Sequence, residues 1–128
     1  MSTPAPGNPT EAVVYGIPNC DTVKKARAWL DAAGLPYHFH DFKKHGVPPD
    51  LLAQWTAAVG WEKLLNRKGT TWRTLDAATQ ASVTDSASAQ AVMQTHASVV
   101  KRPVVQWSAD SSNITVGFDA AAWAARAA

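Results

Sequence analysis

Cys20, the single cysteine of the chain, sits in Tyr15-Gly16-Ile17-Pro18-Asn19-Cys20-Asp21-Thr22, where a short apolar run stops at a Pro-Asn turn and a helical pattern begins. A thiol at the first turn of a helix faces unpaired backbone N–H groups and the positive end of the macrodipole, and both favour thiolate over thiol. The thiolate is the nucleophilic form, so attack on a disulfide or another electrophile is the chemistry expected here. Lys24 and Lys25 add positive charge within one turn, whereas Asp21 pulls the other way. A lone cysteine is more often an inert, buried small hydrophobe, and position is what singles this one out. One cysteine excludes an intramolecular disulfide, a C-x-x-C pair, a resolving thiol within the chain and a thiol-only zinc site.

The elements that must position Cys20 follow an α/β pattern. Glu11–Gly16 reads as a short buried strand, with Ala12, Val13, Val14 and Tyr15 in a run. Val23, Ala26, Leu30 and Ala33 recur at helical spacing over Thr22–Ala33, with Gly34 as a C-cap and Pro36 beyond. Pro36–Phe42 alternates as a second strand, parallel to the first because a helix separates them. Lys43–Pro49 is expected to be a polar turn, with Asp50 opening a helix over Asp50–Val59 that Gly60 ends. Further helical pieces are expected over Trp61–Leu65, Thr71–Leu75 and Asp85–His96, the last capped by Thr84 or Asp85. Val104–Trp107 and Ile114–Phe118 read as strands joined by a hairpin turn over Ser108–Asn113, and Asp119–Ala127 as a final helix. The order β-α-β, helices, β-β-α predicts one thioredoxin-like α/β domain over residues 11–128, with an all-helical insertion at about 50–98. Strand, turn, cysteine and helix near the start of a small α/β chain form the arrangement of thioredoxin-like redox sites.

Composition agrees. A chain of 128 residues with 46% apolar and 17% charged residues is one globular domain. Residues 1–10, with three prolines and a glycine, read as a disordered tail. The net charge of +2 is too small to argue for nucleic acid or an anionic membrane. No apolar run approaches the ~20 residues of a membrane span, and residues 1–10 lack the charge and apolar stretch of a signal peptide, so a cytoplasmic protein is expected. His38 and His40 share a strand face near His45, but no cysteine or compact carboxylate set joins them at zinc spacing; they read as solvated histidines, and no metal is expected. Trp29, Trp55 and Trp123 lie in helical runs and belong in the core, whereas Trp72, beside Thr70, Thr71 and Arg73 in a polar stretch, is expected to line a pocket.

Three segments carry a family resemblance: Tyr15–Ala26, Gly60–Arg73 and Val100–Val104. In order and spacing they resemble the ArsC/Spx/YffB family, most closely its YffB-type branch of arsenate-reductase-like proteins. The resemblance covers nearly everything from residue 12 onward. It implies a thioredoxin-like fold with a helical insert, Cys20 as the catalytic nucleophile, and a glutathione-dependent thiol oxidoreductase with glutathione as co-substrate and no bound cofactor. Its partner would be glutathione or a glutathionylated or disulfide substrate. Arg102 matches an arginine that contacts the oxyanion in arsenate reductases, and a second such arginine falls at Arg67 or one position away, at Asn66. Pro103 is expected to be cis and to face Cys20. The implied glutathione site thus gathers Asn19, Cys20, Arg102 and Pro103, with Arg67 or Lys24 on the carboxylates and Trp72 nearby. The basic stretch Lys63, Arg67, Lys68 and Arg73 reads as solvated surface, or around a thiolate as an attraction for those carboxylates.

The departures bear on function. Arsenate reductases have a histidine four residues before the cysteine, where this chain has Gly16, and a third oxyanion arginine near Gly117. Spx-type regulators have a second cysteine where this chain has Val23. Two alternatives stand beside the thiol oxidoreductase: an arsenate reductase, and a non-enzymatic Spx-like regulator that binds RNA polymerase.

Overall fold

The computed structural model describes residues 12–108 and 113–127, so the expected tail over 1–10 and most of the expected hairpin turn lie outside the described residues. β1 (Ala12–Gly16) is buried throughout, as its uninterrupted apolar run requires of a strand covered on both faces. α1 (Asp21–Ala32) follows, burying Val23, Ala26 and Leu30 along one stripe. It ends in a Schellman motif: Gly34, at φ 70°, donates its N–H to the Asp31 carbonyl, and Leu35 donates to the Leu30 carbonyl at 3.0 Å.

β2 (Tyr37–Asp41) pairs in parallel with β1, Val14 opposite Phe39. The turn expected over Lys43–Pro49 begins instead as a single helical turn, α2 (Phe42–His45). Asp41 caps it by accepting from the Lys43 N–H at 2.8 Å, and Phe42 is buried beneath it. α3 (Pro49–Val59) starts one residue before the expected Asp50, with the fixed φ of Pro49 suiting the first helical position. α4 (Trp61–Leu64) and α5 (Thr70–Thr74) follow, the latter carrying Trp72. α6 (Ala77–Ala81), absent from the sequence reading, is nucleated by Asp76, which accepts from the Thr79 N–H at 2.8 Å. α7 (Ser86–Thr95) opens on Asp85, whose capping box with Ser88 settles which residue is the cap.

β3 (Val104–Gln106) runs antiparallel to β1 and to β4 (Ile114–Val116), giving the sheet order β2-β1-β3-β4. α8 (Ala120–Ala127) closes the described chain. The Arg102–Pro103 peptide bond is cis, as expected.

The pleat sorts the core into two. Val13 and Tyr15 of β1 and Val104 of β3 face the helical insert, packing with Phe42, Trp55 and Leu64. Ala12 and Val14 of β1 and Val105 of β3 face the other way, against Ala26, Leu30 and Trp123. The insert thus covers one face of the sheet, and α1 with α8 covers the other. Trp55 and Trp123 are fully buried as expected; Trp29 is half-buried, edge-on to Trp123 at 5.6 Å. His40 departs from its expected solvated state: it is half-buried, 5.1 Å from the Tyr15 ring, and its Nε2 donates to the Gly46 carbonyl at 2.9 Å. Among the described residues, no three His, Cys, Asp or Glu side chains form a metal-holding group, and no helix is long and apolar enough to cross a membrane.

Candidate functional site

The end of β1 delivers Cys20. Buried Ile17 anchors the strand end, exposed Pro18 and Asn19 turn the chain, and Cys20 takes the N-cap position of α1 in an extended conformation. Its carbonyl accepts the Lys24 N–H at 2.9 Å, which seats the first turn. Gly16 makes this approach possible: a Cβ there would stand 2.9 Å from Cγ2 of the fully buried Val23. Any larger residue would push the start of α1, and Cys20 with it, off the end of β1.

Arg102 comes from the opposite side, in the segment that leads into β3. Its Nη1 donates to the Ser98 carbonyl at 2.8 Å, while its buried Nε has no hydrogen-bond partner. A guanidinium held in place at Ser98 on the wall of a cleft is a preorganised positive charge. The two side chains share a cleft of about 490 Å³ with Asn66, Lys101, Gly117 and Asp119. Pro103 is buried and is not among the residues lining the cleft, its carbonyl accepting the Gly117 N–H at 2.9 Å.

The half-exposed thiol of Cys20 is held below the ordinary thiol pKa. Burial opposes its ionisation, but the N–H of Val23, the hydrogen bond and charge of Arg102, and the N–H of Thr22 together outweigh it. The helix-terminus argument made from sequence therefore holds, with a different cation: Arg102 acts on the sulfur, and Lys24 and Lys25 do not. Alkylation by iodoacetamide is accordingly expected to rise through a midpoint below the ~8.5 of a free thiol and to outpace a model thiol at pH 7. Arg102→Ala should move that midpoint upward, since burial then meets less opposition; a wild-type midpoint at or above the free-thiol value would contradict the assignment.

Among the other residues named from sequence, the structure brings together only some. Asn19 and Lys24 are exposed on the turn and on α1 and do not line the Cys20 cleft. Arg67 does not line it either; Asn66 does, and Arg67 turns into an adjoining cleft, its guanidinium 5.1 Å over the Trp61 ring. Trp72 lines neither cleft but packs against the larger core, its carbonyl accepting from Gln80 Nε2 at 2.8 Å.

Lys101 is the residue sequence reasoning missed, and Asn66 is the one of the two open positions, Asn66 and Arg67, that lines this cleft. A short bridge pairs Leu65 with Val100, the Asn66 N–H donates to the Val99 carbonyl at 2.7 Å, and the Lys101 N–H donates to the Leu64 carbonyl at 2.6 Å. This bridge carries both side chains to the mouth of the cleft. Lys101 lies across Gly117, its Cε 3.2 Å from where a Cβ of residue 117 would be. The glycine thus leaves room for a cation supplied from another segment.

A model of the ArsC family matches residues 15–126. The solved structure of a protein named YFFB is 44% identical, covers 91% of this chain and 99% of its own, and superposes with a TM-score of 0.85. The solution structure of an arsenate reductase (ArsC) related protein from Brucella melitensis is also 44% identical, over 90% of this chain and 92% of its own, with a TM-score of 0.69. An uncharacterized protein of Haemophilus influenzae is 39% identical over 92 residues, 72% of this chain and 80% of the relative.

Proposed function

Because the chain belongs to the ArsC family, we propose that it is a thiol oxidoreductase in which Cys20 exchanges with glutathione mixed disulfides. The observation that carries this reading is the pairing of an ionisation-prone thiol with Arg102 in one cleft. Similarity to an arsenate reductase related protein at 44% identity supports thiol redox chemistry as the general class.

The reaction divides into two exchanges. The Cys20 thiolate bonds to the glutathione sulfur of a mixed disulfide; the original S–S bond breaks and the substrate sulfur leaves as a thiolate. A second glutathione thiolate then attacks the glutathione sulfur held on Cys20, releasing oxidised glutathione and restoring the thiolate. One free glutathione is consumed per turnover: its sulfur and the glutathionyl sulfur taken from the substrate leave together as oxidised glutathione, and the substrate leaves as a thiol, so one protein cysteine suffices. Arg102 and Lys101 neutralise glutathione carboxylates while the Thr22 and Val23 N–H groups hold the sulfur ready. The reading implies a compartment that keeps glutathione reduced, such as the cytoplasm.

Incubation with oxidised glutathione should add one glutathione to the wild-type intact mass and none to Cys20→Ser. No adduct on the wild type would overturn the proposal. Arsenate turnover coupled to glutathione is expected to be weak or absent: a small dianion needs several converging donors, and the cleft offers Arg102 and Lys101 but also the carboxylate of Asp119. Robust arsenate reduction lost in Cys20→Ser would instead establish the arsenate reading.

A further inference from the structure

Beside the Cys20 cleft lies a larger one of about 690 Å³, and the two share Asn66, Lys101 and Val116, forming one continuous trough. The second cleft has an aliphatic floor of Val59, Leu65, Ile114 and Val116. Its rim carries Lys63, Arg67, Lys68 and Lys101 against one carboxylate, Glu62, and all of these charged side chains are exposed. In a chain with a net charge of only +2, four cations around one cleft are a marked local concentration.

Resting on the glutathione-exchange reading of Cys20, we propose that this second cleft docks the polypeptide whose thiol is released, and that it selects segments with aspartate or glutamate flanking the modified cysteine. The Cys20 cleft is of a size to take the glutathione tripeptide by itself. The polypeptide on the other side of the mixed disulfide then needs a resting place continuous with the reacting sulfur. An aliphatic floor with a cationic rim fits an extended acidic peptide: side-chain methylenes rest on the floor, and carboxylates meet the lysines and Arg67. A nucleic acid fits less well. Base stacking needs an open aromatic face, and among the described residues no aromatic side chain lines this second cleft. In the exchange, the Cys20–glutathione S–S bond forms, the glutathione–polypeptide S–S bond breaks, and the polypeptide sulfur leaves with the electron pair; glutathione supplies the reductant in the following step.

The test compares two synthetic peptides, each glutathionylated at one cysteine, flanked in one by glutamates and in the other by lysines. At low ionic strength the wild type should release glutathione from the Glu-flanked peptide about tenfold faster, and the preference should shrink as salt is added. Lys63→Glu combined with Lys68→Glu should reverse the preference; both positions are exposed, so the fold is retained. An equal ratio in both proteins would overturn the proposal, because a cleft that merely attracts glutathione slows both peptides alike. Binding is read separately, by fluorescence anisotropy of the labelled, unmodified Glu-flanked peptide on Cys20→Ser protein. Binding that is weakened by Lys63→Glu with Lys68→Glu sustains the docking site even where exchange fails. No binding, or tighter binding of a single-stranded oligonucleotide, overturns it.

Discussion

Arg102→Ala slows formation of the glutathione adduct at Cys20 by about ten- to a hundredfold, whereas Arg126→Ala leaves the rate near the wild-type value. The magnitude is that of one charge-assisted hydrogen bond, about 1.5–3 kcal/mol. Arg102 is placed to act on both reactants: it favours the Cys20 thiolate, and it lines the cleft that the incoming ligand would enter. Arg126 is the matched control, because its guanidinium already donates to Asn113 Oδ1 at 2.8 Å and lies 5.3 Å over the Trp107 ring, outside the Cys20 cleft. Intact-mass kinetics with oxidised glutathione read both variants, and equal rates would remove Arg102 from the site. Arg102→Lys separates charge from fork geometry: a point charge restores part of the thiolate stabilisation but cannot hold the Ser98 carbonyl and a ligand in one plane.

Trp55→Ala lowers stability by about 3–5 kcal/mol, the range for truncating a fully buried aromatic residue. Trp55 stands edge-on to Tyr15 at 4.7 Å and 6.4 Å from Phe42, so it is the contact through which α3 grips the sheet. Its indole N–H is buried without a hydrogen-bond partner, which makes Trp55→Phe far milder, about 1 kcal/mol, since the smaller ring also removes an unsatisfied donor. Denaturant midpoints of the two variants check this. Similar losses in both would mean that the N–H has a partner or that the site cannot relax around phenylalanine.

Much of this architecture was legible because its signals are local. The Val23, Ala26 and Leu30 stripe, the Gly34 stop and the apolar run of β1 each declare their element within a dozen residues. The lowered pKa of Cys20 was legible in part for the same reason, since the Thr22 and Val23 N–H groups that favour its thiolate are its neighbours in sequence, whereas Arg102 is not. What was missed lacked such a signal. α6 buries no residue, so it has no apolar period to read and only the Asp76 cap announces it. Lys101 is brought to the cleft that Asn66 lines by the Leu65–Val100 bridge, which no spacing rule connects. The choice left open between Arg67 and Asn66 turns on a point no sequence spacing gives: adjacent residues of a non-helical segment point apart, so Asn66 lines the thiol's cleft while Arg67 lines the adjoining one.

The Leu65–Val100 bridge also bears on how the molecule matures. The cleft around Cys20 is assembled from four stretches of chain: the β1–α1 turn, the residue after Leu65, the run before β3 and the end of β4. Cys20 and its local amides emerge early in synthesis, whereas Arg102 and Gly117 follow some hundred residues of chain that must first close a long loop. A nascent or partly folded chain therefore carries a thiol that lacks its guanidinium partner and titrates nearer the ordinary thiol value. The lowered pKa is completed only when a contact between residues far apart in the chain has formed.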